Sequence, residues 1–412
     1  MIKQLKIKLA LIVISSLLIP LVSSAVVYTH GRGIEGDLTL SGARNESDQA
    51  TSTPITVLTT SSATITVSYG GGYAAGDYVL IHQTLDASDD TGTGYWEVAR
   101  VGEISGNDLI LKSSLINIYG ATGAQVVKIN EYHDVTIESG GAWTVDKFDN
   151  LRGGILVAMI SGDLVVESGG AITVQGKGFD GGASRASDNC IPSWQGGGHP
   201  TNTGASSQAA NGVGGGGGDA QAAQVCGGAG GGHISAGSNS GVLQWCVIAT
   251  GGTAFATSMS LATTTSFGGG GGGGHECNAS PTGASQGGDG GGIIYLFGAN
   301  DFDFSGADAE TISAEGGDVS DQPADGGGAA GGSIYLLPHY NLILGTSDAC
   351  DATSGSTQGN AGGGAHGRVR TIDEATVTGD SSPTIEAGTA ISTDRIYNLD
   401  QDAIQINLGL TF

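Results

Sequence analysis

Residues 153–178 read GGILVAMISGDLVVESGGAITVQGKG, and the rest of the chain restates that stretch in pieces. DLVVESGGAITV, beginning at Asp163, matches DVTIESGGAWTV, beginning at Asp134, at eight of twelve positions, 29 residues earlier. The first half returns as GGIIYL from Gly291 and GGSIYL from Gly331, each followed at the same offset by a second apolar alternation, DFDF from Asp301 and NLIL from Asn341. A third short apolar piece follows in turn: ITVQG from Ile172, ISAEG from Ile312 and CDATSG from Cys350.

A unit of about 30 residues with three short strands cannot bury its own apolar face, so successive units must stack. Strands stacked in sequence order pair in parallel, and their side chains alternate between two faces. The spacing therefore predicts an all-β chain built on a right-handed parallel β-helix, a solenoid over residues 134–370 with an insertion at 179–289. Setting Asp301 on Asp163 sends Leu164, Val166, Phe302, Phe304, Leu342 and Leu344 to the axis and Asp303 outward. The Asp or Asn opening each second strand is read as a turn cap.

Residues 1–25 place Lys3, Lys6 and Lys8 before an apolar run and end in Ser23-Ser24-Ala25, the pattern of a secretory signal peptide, so the mature chain is expected to start at Val26 with no transmembrane span after cleavage. The whole chain carries a formal charge of −25. Without the three signal lysines, 12 Lys and Arg face 40 Asp and Glu, a net of −28. From 186 to 367 there is no Lys or Arg against 14 acidic residues, which excludes nucleic acid as a partner there, because its affinity rests on phosphate neutralisation. All five cysteines lie in the Gly-rich half, in a chain bound for a compartment where disulfides persist. Cys190, Cys226, Cys246 and Cys277 are the disulfide candidates, with their pairing open. Cys350, aligned with Ile172, is expected to be buried and unpaired.

Residues 26–133 read as a small β module, a barrel or sandwich of short strands, behind a loose leader at 26–53. No cofactor is required by any motif. The oxygen-rich stretch 85–94 has the look of a Ca²⁺ loop, but it lacks EF-hand spacing and a closing Glu. Residues 371–412 continue as short strands and end in a strict alternation from Ile404 to Phe412.

The insertion contains the runs 214–218 and 268–274, made only of glycine. Unlike a linker, the insertion sets apolar residues and cysteines at regular places between its Gly-rich runs, and several such runs lead straight into strands, as GGDGGG does into Ile293. Side-chain-free tracts can lie side by side as polyglycine-II-like helices whose backbone groups bond to their neighbours. The junctions GGDGGGIIYL, GGAAGGSIYL and GNAGGGAHGRVRTI, with the ESGGAITVQGKG repeat, resemble the Gly-rich secreted surface proteins of bacteria that are predicted to form β-helices. The Gly tracts alone are similar to the polyglycine tips of phage tail-fibre adhesins. The resemblance implies display outside the cell and binding to surface glycans or to copies of the protein itself. It carries over no catalytic motif.

His199, His233, His275 and His366 follow Gly runs and are candidate Zn²⁺ or Cu²⁺ ligands if the tracts gather their ends. Ca²⁺ is the other possible cofactor, between carboxylates stacked along a solenoid edge. Trp194 and Trp245 offer aromatic faces for a sugar. The competing class is a polysaccharide lyase or glycoside hydrolase on a β-helix, which needs a cleft with two facing carboxylates or a cluster of cations. The expectation is a secreted, non-catalytic protein acting in adhesion or in an extracellular layer or fibre.

Overall fold

The computed structural model describes residues 31–388, apart from 59–61, 87–91, 121, 187–189, 221–223, 242–245, 256–263, 278–282, 307, 309–310, 321–323, 346–348 and 373–374. The stretch 1–25 expected to be a signal peptide, Trp245 and the alternation from Ile404 lie outside the described residues, and so does the middle of the 85–94 loop.

Three parallel sheets are visited in rotation. One holds Leu38–Leu40, Val135–Ile137, Leu164–Val166, Phe302–Phe304, Asn341–Leu344 and Thr376–Thr378. The second holds Ala43–Asn45, Ala142–Thr144, Ala171–Thr173, Ile312–Ser313, Cys350–Asp351 and Ser381–Ser382. The third runs through the end of Ala124–Tyr132 to Ile155–Ile160, Ile293–Gly298, Ser333–Leu337, Arg368–Ile372 and Glu386–Gly388. Register follows the sequence repeat: Leu164 stands beside Phe302, Val165 beside Asp303, and Phe302 beside Leu342. Ile172 stands beside Ile312, and Ile312 beside Cys350. Phe302 and Phe304 are buried with Leu156, Leu164, Leu296 and Leu342 in one continuous cluster between the sheets, and Asp303 points out of it.

The turn glycines Gly140 and Gly169 occupy equivalent places with φ of +84° and +81°, a left-handed conformation costly for any residue with a Cβ, which is why ESGGA recurs. Capping at the strand starts links repeats rather than closing local turns. An Asp134 carboxylate oxygen accepts the Asp163 N–H (2.9 Å), and Asp301 accepts the backbone and side-chain N–H groups of Asn341 (3.0 and 2.8 Å).

The stretch expected as a loose leader instead supplies the first strands of two sheets: Leu38–Leu40 pairs with Val135–Ile137, and Ala43–Asn45 with Ala142–Thr144. Asp37-Leu-Thr-Leu mirrors Asp134-Val-Thr-Ile, but its turn is two residues shorter, which breaks the alignment. Between these strands and the next repeat the chain builds an antiparallel barrel. Ser52–Leu58, Thr64–Val67, Asp108–Leu111, Trp96–Ser105 and Tyr78–Gln83 pair in that order, and both end strands pair with Ala124–Tyr132, which closes the ring and removes its edges. Ala124–Tyr132 is shared, its last three residues pairing with Ala158, Met159 and Ile160. At this joint the buried Glu46 carboxylate accepts from Trp143 Nε1 (2.8 Å) and the Tyr132 hydroxyl (2.6 Å) and pairs with Arg44 (2.9 Å), so the charge is fully compensated.

The Gly tracts form an ordered bundle on the outer face of the third sheet. All seven N–H groups from Gly268 to Gly274 donate to other segments at 2.8–3.1 Å: to Gly291, Gly288 and Ser285, to Gly232 and Ala229, and to Gly197 and Trp194. The carbonyls of Gly269 to Gly274 accept in turn from Ala330 and Gly327, from Gly215 and Gly218, and from Gly182 and Arg185. Partners step by three along each neighbour, the period of a helix with three residues per turn and no internal hydrogen bonds. Six tracts thus surround the central one. A Cβ on Gly268, Gly271 or Gly274 would strike the carbonyl of Ala330, Gly327 or Ala324, so the close approach that makes the bonds also excludes side chains. Phe267, at the base of the central tract, packs on Phe148 and Phe179 with centroids 5.2 and 5.4 Å apart. These rings join the bundle to Ile155, Val157, Ile293 and Tyr295 of the third sheet. The tract then runs about 20 Å outward to His275.

A paired substitution tests this packing. Gly271→Ala drives a methyl into the Gly327 carbonyl and is expected to lower stability by several kcal/mol, as overpacking into backbone does. Gly363→Ala, in an outer tract where a Cβ meets nothing within 4 Å, is expected to stay within about 1 kcal/mol of the parent. Urea denaturation of the two variants gives the comparison.

Candidate functional site

Three places bear on function. An open groove of about 520 Å³ is lined by Gln175, Gln286, Asp289, Asp318 and Ser320 with the backbone of Gly176, Gly287 and Gly317. It lies where the turn after Ala171–Thr173 meets the bundle. Both carboxylates are already engaged. Asp289 accepts the Gly181 N–H (2.7 Å) and pairs with Lys147 Nζ (2.7 Å), which also holds Asp180. Asp318 accepts from the Ser356 side chain and N–H, and these bonds hold its carboxyl below the usual range.

Buried histidines form the second place. His199 Nε2 meets Ser266 Oγ (2.7 Å), and His233 Nε2 meets the Ser266 carbonyl (3.2 Å) and Ser333 Oγ (3.3 Å). His82, from the barrel, joins them through Thr265 (3.2 Å). The four candidate histidines therefore do not gather at one end of the bundle. The tracts before His199 and His233 run antiparallel to 268–274, which carries these two to the base and His275 to the far end. His366 is exposed. His82 went unseen in the sequence; its only signal is a lone imidazole within the apolar strand YVLIHQ. Among the described residues, possible ligand atoms within 4.8 Å of one another belong to Asp37, His133 and Asp134 at the start of two strands of the first sheet, where His133 Nδ1 bonds to Asp37 (2.9 Å).

The third place is the far end of the bundle. Cys190 pairs with Cys277 and Cys226 with Cys246, using all four candidate cysteines, while Cys350 is free and buried and its thiol is pushed up by that burial. Short strands Arg185–Ala186, Gln224–Cys226 and His275–Cys277 close this end. Trp194 stands there with its backbone bonded to Ala183 (3.1 Å) and Gly273 (2.9 Å). Its ring is partly exposed, and the Arg185 guanidinium lies 4.3 Å from the ring centroid.

No family model and no curated protein sequence matches the chain. Among solved structures it is similar to phage tailspikes. One is a tailspike of Pseudomonas phage LKA1, at 11% identity and a TM-score of 0.19, covering 81% of this chain and 48% of that one. Another is a tailspike of Acinetobacter baumannii bacteriophage AP22 in complex with A. baumannii capsular saccharide, at 11% identity and a TM-score of 0.20, covering 86% of this chain and 62% of that one. This chain spans about half of the first and less than two thirds of the second.

The buried imidazoles set a pH limit. Burial lowers His82, His233 and His275 to about 4 and His199 to about 3, against 6.5 for a free imidazole. Between those values the unfolded chain binds protons that the folded chain refuses. Stability is therefore complete above about pH 6.5 and falls as pH drops through the window to 4. His199→Gln removes one of these four titrating groups, so its unfolding free energy is expected to fall less steeply with acid than the parent's, measured by urea denaturation from about pH 7 to 4.5.

Proposed function

We propose that the three rotating sheets are the walls of one right-handed parallel β-helix in an exported, non-catalytic surface protein. Its glycine bundle holds a rigid, disulfide-stapled tip outward for adhesion to surface glycans. The observation behind this reading is the bundle itself. Seven tracts with every central N–H bonded form a stiff support about 20 Å long that runs outward from the third sheet. Such a support suits presentation. Two disulfides at its far end fit an oxidising, extracellular setting, and no helix among the described residues is long and apolar enough to cross a membrane.

The groove favours binding over cleavage. A glycosidase acid must keep its proton near neutral pH, which takes a raised pKa. Asp318 is shifted the opposite way, and Asp289 serves as a structural partner of Lys147 and Gly181.

Glycan-array binding of the secreted protein, followed by mass spectrometry of each bound glycan after prolonged incubation, tests the proposal. The expected result is retention on a subset of glycans that stay intact. Shortened or unsaturated products would make the protein an enzyme, and failure to bind any glycan or glycan-bearing cell would remove adhesion to glycans.

A further inference from the structure

Resting on the adhesion reading, we infer that Arg185 and Trp194 form the contact site at the bundle tip and that its ligand is an acidic sugar, one bearing a carboxylate. Several cations of this acidic chain already hold carboxylate partners. Arg32 pairs with Glu131, Arg44 with Glu46, Lys128 with Asp77, and Lys147 with Asp180 and Asp289. Arg185 has no carboxylate partner among the described residues. Its guanidinium instead lies over the Trp194 ring. Stacking orients the planar fork while leaving its N–H donors free, and such a fork matches a carboxylate bidentately.

Trp194 supplies the other half of a sugar site. It is 36% exposed, and Ile191 beside it is 48% exposed. An indole left in contact with water offers an apolar face to the C–H groups of a pyranose ring. Both residues are anchored by their backbones. The Arg185 N–H donates to Gly274 (3.0 Å) and the Trp194 carbonyl accepts from Gly273 (2.9 Å), so the two side chains stand on adjacent rods of the bundle next to the Cys190–Cys277 disulfide. Glu276 in the same small sheet is buried and accepts the Gly283 N–H (2.8 Å).

Overall charge does not forbid an anionic ligand at this point. Screening confines exposed charges to about 8 Å at physiological salt, so a single carboxylate at the tip is governed by Arg185 rather than by acidic groups elsewhere. Long polyanions lying across the body of the protein would still be repelled. The site therefore fits a chain end or a side-branch sugar.

Isothermal titration with tetragalacturonate, its carboxyl-reduced neutral counterpart and sialyllactose tests the inference and separates uronate from sialate. The expected pattern is binding of at least one acidic ligand, and roughly tenfold weaker binding by Arg185→Gln, the loss of one charge-assisted contact. Arg185→Lys should bind between the two, and Trp194→Ala should lose acidic and neutral ligands alike. Both substituted side chains reach solvent, and circular dichroism spectra unchanged from the parent verify that the variants fold. Equal binding of the acidic and neutral ligands, with Arg185→Gln unaffected, would overturn the acidic-sugar assignment while leaving glycan adhesion intact. Binding of none of them, in a protein that does bind other glycans on an array, would place the contact site elsewhere. Absence of any glycan binding would remove the adhesion reading as well.

Discussion

The glycine bundle depends on one constraint: a buried peptide group must find a hydrogen-bond partner, and an extended glycine tract contains none of its own. An α-helix satisfies its backbone internally, whereas a three-residue-per-turn helix must take partners on three sides. The central tract 268–274 does so by giving all seven N–H groups to three neighbours and taking bonds from three others. Glycine also loses the most conformational entropy on ordering. Each net hydrogen bond contributes about 1 kcal/mol, so a single pair of tracts would gain little. Seven tracts packed at once share their bonds cooperatively.

The bundle needs a base that holds the first turns in place, and the third sheet provides it. Phe148, Phe179 and Phe267 seal the junction between glycine tracts and strands. Trp96 of the barrel lies against Tyr295 and Tyr335 of the same sheet, with centroids 5.0 and 5.5 Å apart. One apolar layer thus joins barrel, sheets and bundle. Its polar complement is the set of neutral histidines around Thr265 and Ser266. At the opposite end two disulfides tie Cys190 to Cys277 and Cys226 to Cys246.

The parts legible in the sequence are those governed by local period. Alternation from Asp163 and from Asp301 placed Leu164 beside Phe302 and turned Asp303 outward, and alignment of Cys350 with Ile172 put a lone thiol in the interior. Side-chain-free runs leading directly into strands marked ordered tracts. What escaped was set by contacts distant in sequence. Leu38–Leu40 was hidden by a turn two residues short. Closure of the barrel depends on Tyr78–Gln83 meeting Ala124–Tyr132, which no local pattern reports. The direction of each glycine tract decides which histidines meet, and a tract made only of glycine carries no mark of direction. For the same reason Trp194 was visible as a candidate, but the guanidinium above it was not.

Amide hydrogen exchange across residues 268–274 reaches the central claim most directly, because each of these N–H groups is assigned a partner in a different segment. The account predicts that all seven exchange as slowly as the amides of Ile293–Gly298 in the adjoining sheet, and that they open together. Exchange at the rate of an unstructured glycine peptide, with the strand amides still protected, would contradict it.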